Sequence, residues 1–268
     1  MMNLFASDLD RTLIYSKRAL QSFSQDNLSD LVPVERKDES DVAFMTGRSF
    51  AMLKELAASL MFVPVTTRTY EQYKRIFIFS EDIQINYAVT ANGANIHYKG
   101  QELLEWKEVL KRRLGQDCTL YQDMIENVSR LSIQGNLKKA ENLFFYYILD
   151  TVTDQMNLEE ISRFALEHGW RISLQGKKLY FMPNPICKGE ALQFIKEREM
   201  VDRMIGAGDS ILDYDFLRYC QEAFVPNHGE LMQRPEIKKI VCKITQNKGV
   251  WAGEEILDSV NKTVNIPI

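Results

Sequence analysis

Asn3-Leu4-Phe5-Ala6-Ser7-Asp8-Leu9-Asp10 decides the reading of the whole chain: an apolar run of strand length stops at two acids placed two residues apart. So short an apolar run is the mark of a strand buried on both faces, as in a parallel sheet. In open parallel sheets the crevice beyond the carboxyl ends of the strands is where ligands bind, so Asp8 and Asp10 meet substrate by geometry. Two carboxylates so close can divide labour, one ionised as nucleophile and metal ligand, the other holding a proton as general acid.

Working outward, the same pattern of a strand running into polar residues recurs. Met61 to Val65 ends at Thr66, Tyr87 to Thr90 runs into Asn92 and Gly93, Arg203 to Ala207 ends in Gly208 and Asp209, and Ala223 to Pro226 reads as a further strand. Helices are expected at Ser49 to Leu60, whose apolar positions keep the i, i+3, i+4 spacing, and at Tyr70 to Phe79. Others are expected at Gly189 to Glu197, Phe216 to Cys220 and Glu254 to Val264. Leu31 to Met45 reads as a hairpin flap around a charged turn, Glu35 to Asp41.

Between these flanks the texture changes. Helices at Glu102 to Leu114, Thr119 to Leu131 and Leu158 to His168 accompany the strand Leu143 to Leu149 and a hairpin of Trp170 to Gln175 with Lys178 to Met182 around Gly176. The expectation is therefore an α/β parallel-sheet core made of residues 1–96 and 184–268, interrupted by an α+β module over 97–183. Its length of 268 residues suffices for two such domains.

Composition excludes several classes. Thirty-three basic against 37 acidic residues give a net charge of −4, so no overall field favours nucleic acid. The longest apolar stretches fall far short of the ~20 residues of a spanning helix. Met1 to Ala6 lacks a basic n-region, so no secretory leader is expected. The four cysteines form no C-x-x-C pair, which suits a reducing cytoplasm, and the three histidines are scattered, so any metal is expected to be oxygen-bound. Nothing in the sequence sets an oligomeric state.

Asp209 and Asp213 form a second acidic pair at i, i+4, and four convergent carboxylates suit magnesium better than zinc. Lys188 at a helix start and Thr66 at a strand end are phosphate-binding groups. Taken singly these residues read as strand-end turns, an N-cap, a surface lysine and a strand-end threonine; the ordered conjunction D-x-D, Thr, Lys, G-D-x-x-x-D is what points to chemistry.

Ser7-Asp8-Leu9-Asp10-Arg11-Thr12-Leu13 resembles the first motif of the haloacid dehalogenase superfamily. Val65-Thr66-Thr67-Arg68 resembles its second, Lys188-Gly189-Glu190-Ala191-Leu192 its third, and Gly208-Asp209-Ser210-Ile211-Leu212-Asp213 its fourth. Asn92-Gly93-Ala94 is similar to a signature of its sugar-phosphatase branches. The resemblance covers essentially the whole chain and implies a Rossmann-like core with the α+β cap of the Cof-type and sucrose-phosphatase-like members, the cap serving as lid and specificity element. It implies a magnesium-dependent phosphomonoester hydrolase acting on a sugar phosphate or similar small metabolite. Asp8 would form an aspartyl-phosphate and Asp10 would protonate the leaving oxygen and then activate water. Magnesium would be held by Asp8, the Asp10 carbonyl and Asp209, with Asp213 as a further ligand or support. Thr66 and Lys188 would cradle the phosphoryl group, and Arg68 and Asn92 would meet substrate. A phosphomutase, a nucleotide phosphatase and a non-catalytic regulatory protein of the same fold are the alternatives.

Three features depart from that pattern or compete within it. Arg11 stands where glycine is commonest, and Ile211 and Leu212 replace the usual glycine and asparagine, so Asp213 is open to a different placement. Phe44-Met45-Thr46-Gly47-Arg48 also spells a second motif. Thr66 is preferred because it follows an apolar strand, whereas Thr46 precedes an amphipathic helix as its N-cap. In the cap, Arg130, Lys138, Lys139, Arg171 and Lys178 read as a solvated face, and Phe144 to Tyr147 as core.

Overall fold

The computed structural model describes residues 2–23, 30–140, 142–151 and 157–264. It divides into two compact units, Met1–Leu103 with Lys188–Ile268, and Leu104–Cys187.

The first unit is built on a five-stranded parallel sheet in the order Cys242–Ile244, Glu222–Val225, Arg203–Ala207, Asn3–Ser7, Met61–Pro64. Leu4, Phe5 and Ala6 are wholly buried, which is why the opening strand carries no polar alternation. Tyr87–Thr90 joins beside Met61–Pro64 through the Val65 to Val89 bridge, where the Thr66 amide donates to the Val89 carbonyl at 2.9 Å. The Ala223 to Pro226 strand lies one residue earlier than read, and Cys242–Ile244 was not legible as a strand because it is three residues long with Lys243 at its centre.

The hairpin comprises Leu31–Lys37 and Ser40–Thr46, to which Tyr15–Ser16 adds a third strand. Its turn is much tighter than Glu35 to Asp41: the chain reverses at Asp38 and Glu39, with φ of 48° and 61°. Tyr70 to Phe79 is not one helix but two single turns, Tyr70–Tyr73 and Ile78–Glu81. Tyr73, Ile76, Ile78 and Phe79 are all buried, and no one face of a straight helix carries those four positions. The helix read at Phe216 to Cys220 is the single turn Tyr214–Leu217.

The boundary into the second unit falls at Leu104 rather than 97 because Asn95–Tyr98 pairs antiparallel with Tyr87–Thr90 and belongs to the first unit. It closes at Cys187 rather than 183, with Arg171 donating to the Ile186 carbonyl at 2.8 Å. This unit is a four-stranded antiparallel sheet, Trp170–Gln175, Lys178–Pro183, Phe144–Leu149, Gly135–Ala140, with helices Leu104–Asp117, Tyr121–Ser129 and Leu158–Glu167. Phe144, Phe145 and Tyr147 are buried, Phe145 stacking on Phe181 at 5.1 Å, while Tyr146 is only partly covered. Gly135–Ala140 escaped the sequence reading because it is a polar edge strand whose Lys138 and Lys139 are exposed, a pattern that discourages edge-to-edge pairing. Arg130 is exposed and paired with Glu126, and exposed Lys178 lies over the Tyr146 ring. Among the described residues no helix is long and apolar enough to cross a membrane.

The helix Lys188–Arg198 approaches the Tyr214–Leu217 turn so closely that a Cβ on Gly189 would lie 2.1 Å from the Asp215 carbonyl oxygen. Gly189→Ala is therefore expected to destabilise by about 2 kcal/mol or more through overpacking. Exposed Gly115, in Leu104–Asp117, has nothing within 4 Å of its virtual Cβ. Gly115→Ala is expected to stabilise by up to about 1 kcal/mol, a contrast that denaturant melts of the two variants check.

Candidate active site

Register brings the chemistry to one rim. Ser7 pairs with Ala207 on one side and Pro64 on the other, and the Asp8 amide continues the ladder to the Ala207 carbonyl at 2.9 Å. Asp8 therefore leaves the sheet between Gly208-Asp209 and Val65-Thr66. Lys188 enters from the first turn of its helix, wholly buried, and donates to Asp8 Oδ1 at 2.8 Å and Asp213 Oδ1 at 2.6 Å. Carboxylate oxygens of Asp8, Asp209 and Asp213 lie within 4.8 Å of one another.

Asp213 is held tightly despite Ile211 and Leu212. Its Oδ2 accepts from the Asp209 amide at 3.0 Å, the Ser210 amide at 2.8 Å and the Ser210 hydroxyl at 2.8 Å. Gly208 permits this, since a Cβ there would sit 2.4 Å from Asp213 Cβ. Ser210, within the divergent fourth motif, supplies both a backbone and a side-chain donor to Asp213. Asp213 meets Lys188 with one oxygen and spends the other on three donors, the bonding of an anchor.

The cluster holds three buried carboxylates against one ammonium. Burial, then the Asp213 charge, raises the Asp8 carboxyl from 3.8 to about 7, with Lys188 opposing. Burial and the charges of Asp8 and Asp213 push Asp209 well up. For Lys188, burial works downward but is outweighed by Asp213 and Asp8, so the ammonium is held protonated. An all-oxygen donor set with surplus negative charge fits a hard divalent cation such as magnesium.

Asp10 turns to a different partner. Arg68 grips it in a fork, Nε to Oδ2 at 2.7 Å and Nη2 to Oδ1 at 2.7 Å. Its remaining edge meets Glu35, a residue the sequence reading assigned to a turn. Arg11 sits at φ 64°, the left-handed region that favours glycine, which explains the family preference there. Its guanidinium reaches Asp209 Oδ2 at 3.6 Å and lies over the Phe23 ring. His228, unassigned from sequence, pins this strained residue. Its Nδ1 accepts from the Gly249 amide at 3.1 Å, so Nε2 carries the hydrogen donated to the Arg11 carbonyl at 2.9 Å. Only its neighbours in space identify that role.

The competing threonines separate by surroundings. Thr46 caps Gly47–Ser59, accepting from the Ser49 amide at 3.0 Å and donating to Glu254 Oε2 at 2.6 Å. Thr66 lies on the rim beside Asp8, its hydroxyl accepting from the Arg68 amide at 3.1 Å. Asn92, at φ 59°, donates its amide to the Thr66 carbonyl at 3.0 Å, so the Ala91–Gly93 turn braces the second motif from behind.

The profile of sucrose-6F-phosphate phosphohydrolase matches residues 57–234, about two thirds of the chain and inclusive of Thr66, Lys188, Asp209 and Asp213. The chain belongs to this family of haloacid dehalogenase-type phosphatases. Its fold is similar to that of the Synechocystis sucrose-phosphatase solved with sucrose and phosphate, at 15% identity and a TM-score of 0.69 over 98% of both chains. The Bacillus subtilis haloacid dehalogenase-like hydrolase yhjK matches at 16% identity and 0.58, over 98% of this chain and 92% of that one. A trehalose-6-phosphate phosphatase related protein matches at 17% and 0.54, over 97% and 98%. No curated protein matches by sequence comparison.

The raised Asp8 carboxyl makes stability depend on pH with a definite sign. Between 3.8 and about 7 the folded protein keeps a proton that the unfolded chain has released, so stability falls as pH rises through that window. The melting temperature measured in chelator is expected to decline from about pH 4 to about pH 7, and magnesium is expected to restore much of the loss at the upper end by binding only the folded state. A metal-free melting temperature that is flat or rises across the window would contradict this electrostatic account.

Proposed function

We propose that the protein is a magnesium-dependent phosphatase of sugar phosphates, working through a phosphorylated Asp8. The observation that carries this reading is the buried Lys188 holding Asp8 Oδ1 beside Asp209, with Asp10 two residues on and Thr66 across the rim.

Asp8 and Asp209 are the residues that would hold magnesium, with Asp213 anchoring the Asp209 loop; the ion would supply positive charge to the phosphoryl oxygens. A carboxylate oxygen of Asp8 attacks phosphorus, forming the acyl-phosphate bond as the bond to the leaving oxygen breaks, and Asp10 delivers the proton that oxygen needs. Asp10 then takes a proton from water as the water oxygen attacks phosphorus, releasing inorganic phosphate and regenerating the Asp8 carboxylate. Lys188 and the Thr66 hydroxyl stabilise the charge on the non-bridging oxygens. Asp10 distinguishes this chemistry from dehalogenation, since a departing halide needs no proton.

The family match and the sucrose-bound Synechocystis relative favour a sugar phosphate over a nucleotide. All four cysteines are free thiols, which supports a cytoplasmic enzyme.

Phosphate release from a panel of phosphorylated sugars and nucleotides, with and without magnesium, tests the reading. Asp8→Asn is expected to abolish turnover, and Thr66→Ala to lower kcat by about 10- to 100-fold. Thr46→Ala is expected to leave kcat in place while lowering stability by about 1–2 kcal/mol through loss of the cap. Turnover that survives Asp8→Asn, or that is lost in Thr46→Ala but not in Thr66→Ala, would overturn the assignment.

A further inference from the structure

Glu35 is a charged side chain only 3% exposed, on a hairpin strand outside the central sheet. Pairing of that strand with Ser40–Thr46 is irregular on both sides of it, between Pro33 and Glu35 and between Glu35 and Arg36. Val34 and Glu35 consequently both point inward, which regular alternation forbids and a β-bulge permits. The bulge aims the carboxylate at two arginines. Its Oε1 lies 2.9 Å from Arg68 Nη1 and 3.1 Å from Arg75 Nε, and its Oε2 accepts from Arg68 Nη2 at 2.9 Å. The Arg36 amide donates to the Arg75 carbonyl at 3.0 Å, locking the hairpin to the segment that carries the second arginine.

Arg68 is thereby clamped between two carboxylates, Glu35 on one edge and Asp10 on the other. Its side chain is 12% exposed, whereas that of Asp10 is 46% exposed and has rotational room of its own. Two coplanar bonds from a fixed fork hold the Asp10 carboxylate in one plane and leave a second lone pair on each oxygen directed outward. A buried ion pair adds little net stability over an apolar pair of the same size, so stability alone does not account for a bulge and two arginines. Orientation does.

We infer that Glu35 is a positioning residue for proton transfer, acting through Arg68 on Asp10; this rests on the reading of Asp10 as the proton donor. Glu35 touches neither phosphate nor leaving group. It fixes the guanidinium that fixes the acid, and Arg75 balances its charge.

Leaving-group dependence separates this role from a merely structural one, because an ester whose leaving group departs unassisted has little use for a positioned acid. Single-turnover phosphoryl transfer is to be measured with 2,4-dinitrophenyl phosphate and with an alkyl ester such as glucose 6-phosphate, in wild type, Glu35→Gln, Glu35→Asp and Asp10→Asn. Glu35→Gln is expected to slow the alkyl ester by about 10- to 100-fold and the dinitrophenyl ester by less than about threefold, with KM nearly unchanged. Glu35→Asp, which keeps the charge balance and the fold, is expected to fall between wild type and Glu35→Gln, and Asp10→Asn to show the same selectivity more strongly. Equal losses on both esters, or a change confined to KM, would overturn the inference while leaving the phosphatase reading intact. Wild type inactive on every ester would overturn the reading itself, and that result needs no substitution to be seen.

Discussion

One ammonium group organises the site. Lys188 is wholly buried and its Nζ bonds carboxylates from two separate parts of the chain, the opening strand and the loop after Arg203–Ala207. Removing a charge from water is expensive, so Lys188 is stable there only because both partners are present. The converse also holds, since Asp8 and Asp213 are brought close against their mutual repulsion by the cation between them. Three motifs that are remote in sequence are thus tied at one point, and the glycines at 189 and 208 allow the backbones to come close enough for the tie to form.

That tie leaves the charge unbalanced. With Asp209 counted, three carboxylates face one buried lysine, and Arg11, half in solvent at 3.6 Å from Asp209, offsets little of the excess. A surplus of this kind suits a divalent cation, which would in turn attract phosphate. Preorganised loops matter here as much as charge. The three donors on Asp213 Oδ2 and the His228 bond to the strained Arg11 carbonyl hold the loops after Arg203–Ala207 and Asn3–Ser7 in shape.

Legibility in the sequence followed burial. Asn3–Ser7, Arg203–Ala207 and Tyr87–Thr90 are buried on both faces, so their apolar runs coincide with the observed strands, and the polar residues at their carboxyl ends, Asp8, Asp209 and Asn92, follow from that placement. Short or polar edges were opaque: Cys242–Ile244 and Gly135–Ala140 present too few apolar side chains to register, and Asn95–Tyr98 was absorbed into the neighbouring unit. Glu35 and His228 could not be placed because their roles depend on partners far along the chain. In a linear pattern Glu35 is one more acid in a charged stretch, and only the bulge, a feature of pairing rather than composition, turns it inward.

The arrangement of cations around Asp8 and Asp10 gives neighbours in sequence different surroundings. Asp8 is buried beside a point charge, Lys188, and beside other carboxylates, an environment set by desolvation and repulsion. Asp10, two residues on, is nearly half exposed and held by the planar fork of Arg68. The ammonium takes only Oδ1 of Asp8 and leaves Oδ2 with a long 3.3 Å bond from the Thr12 hydroxyl, whereas a guanidinium dictates the plane of the carboxylate it binds. In the proposed mechanism the nucleophile needs a weakly held oxygen and the proton carrier a fixed direction. Leu9, wholly buried, stands between the two acids and the left-handed turn at Arg11 follows them, and the neighbouring carboxylates answer to different cations.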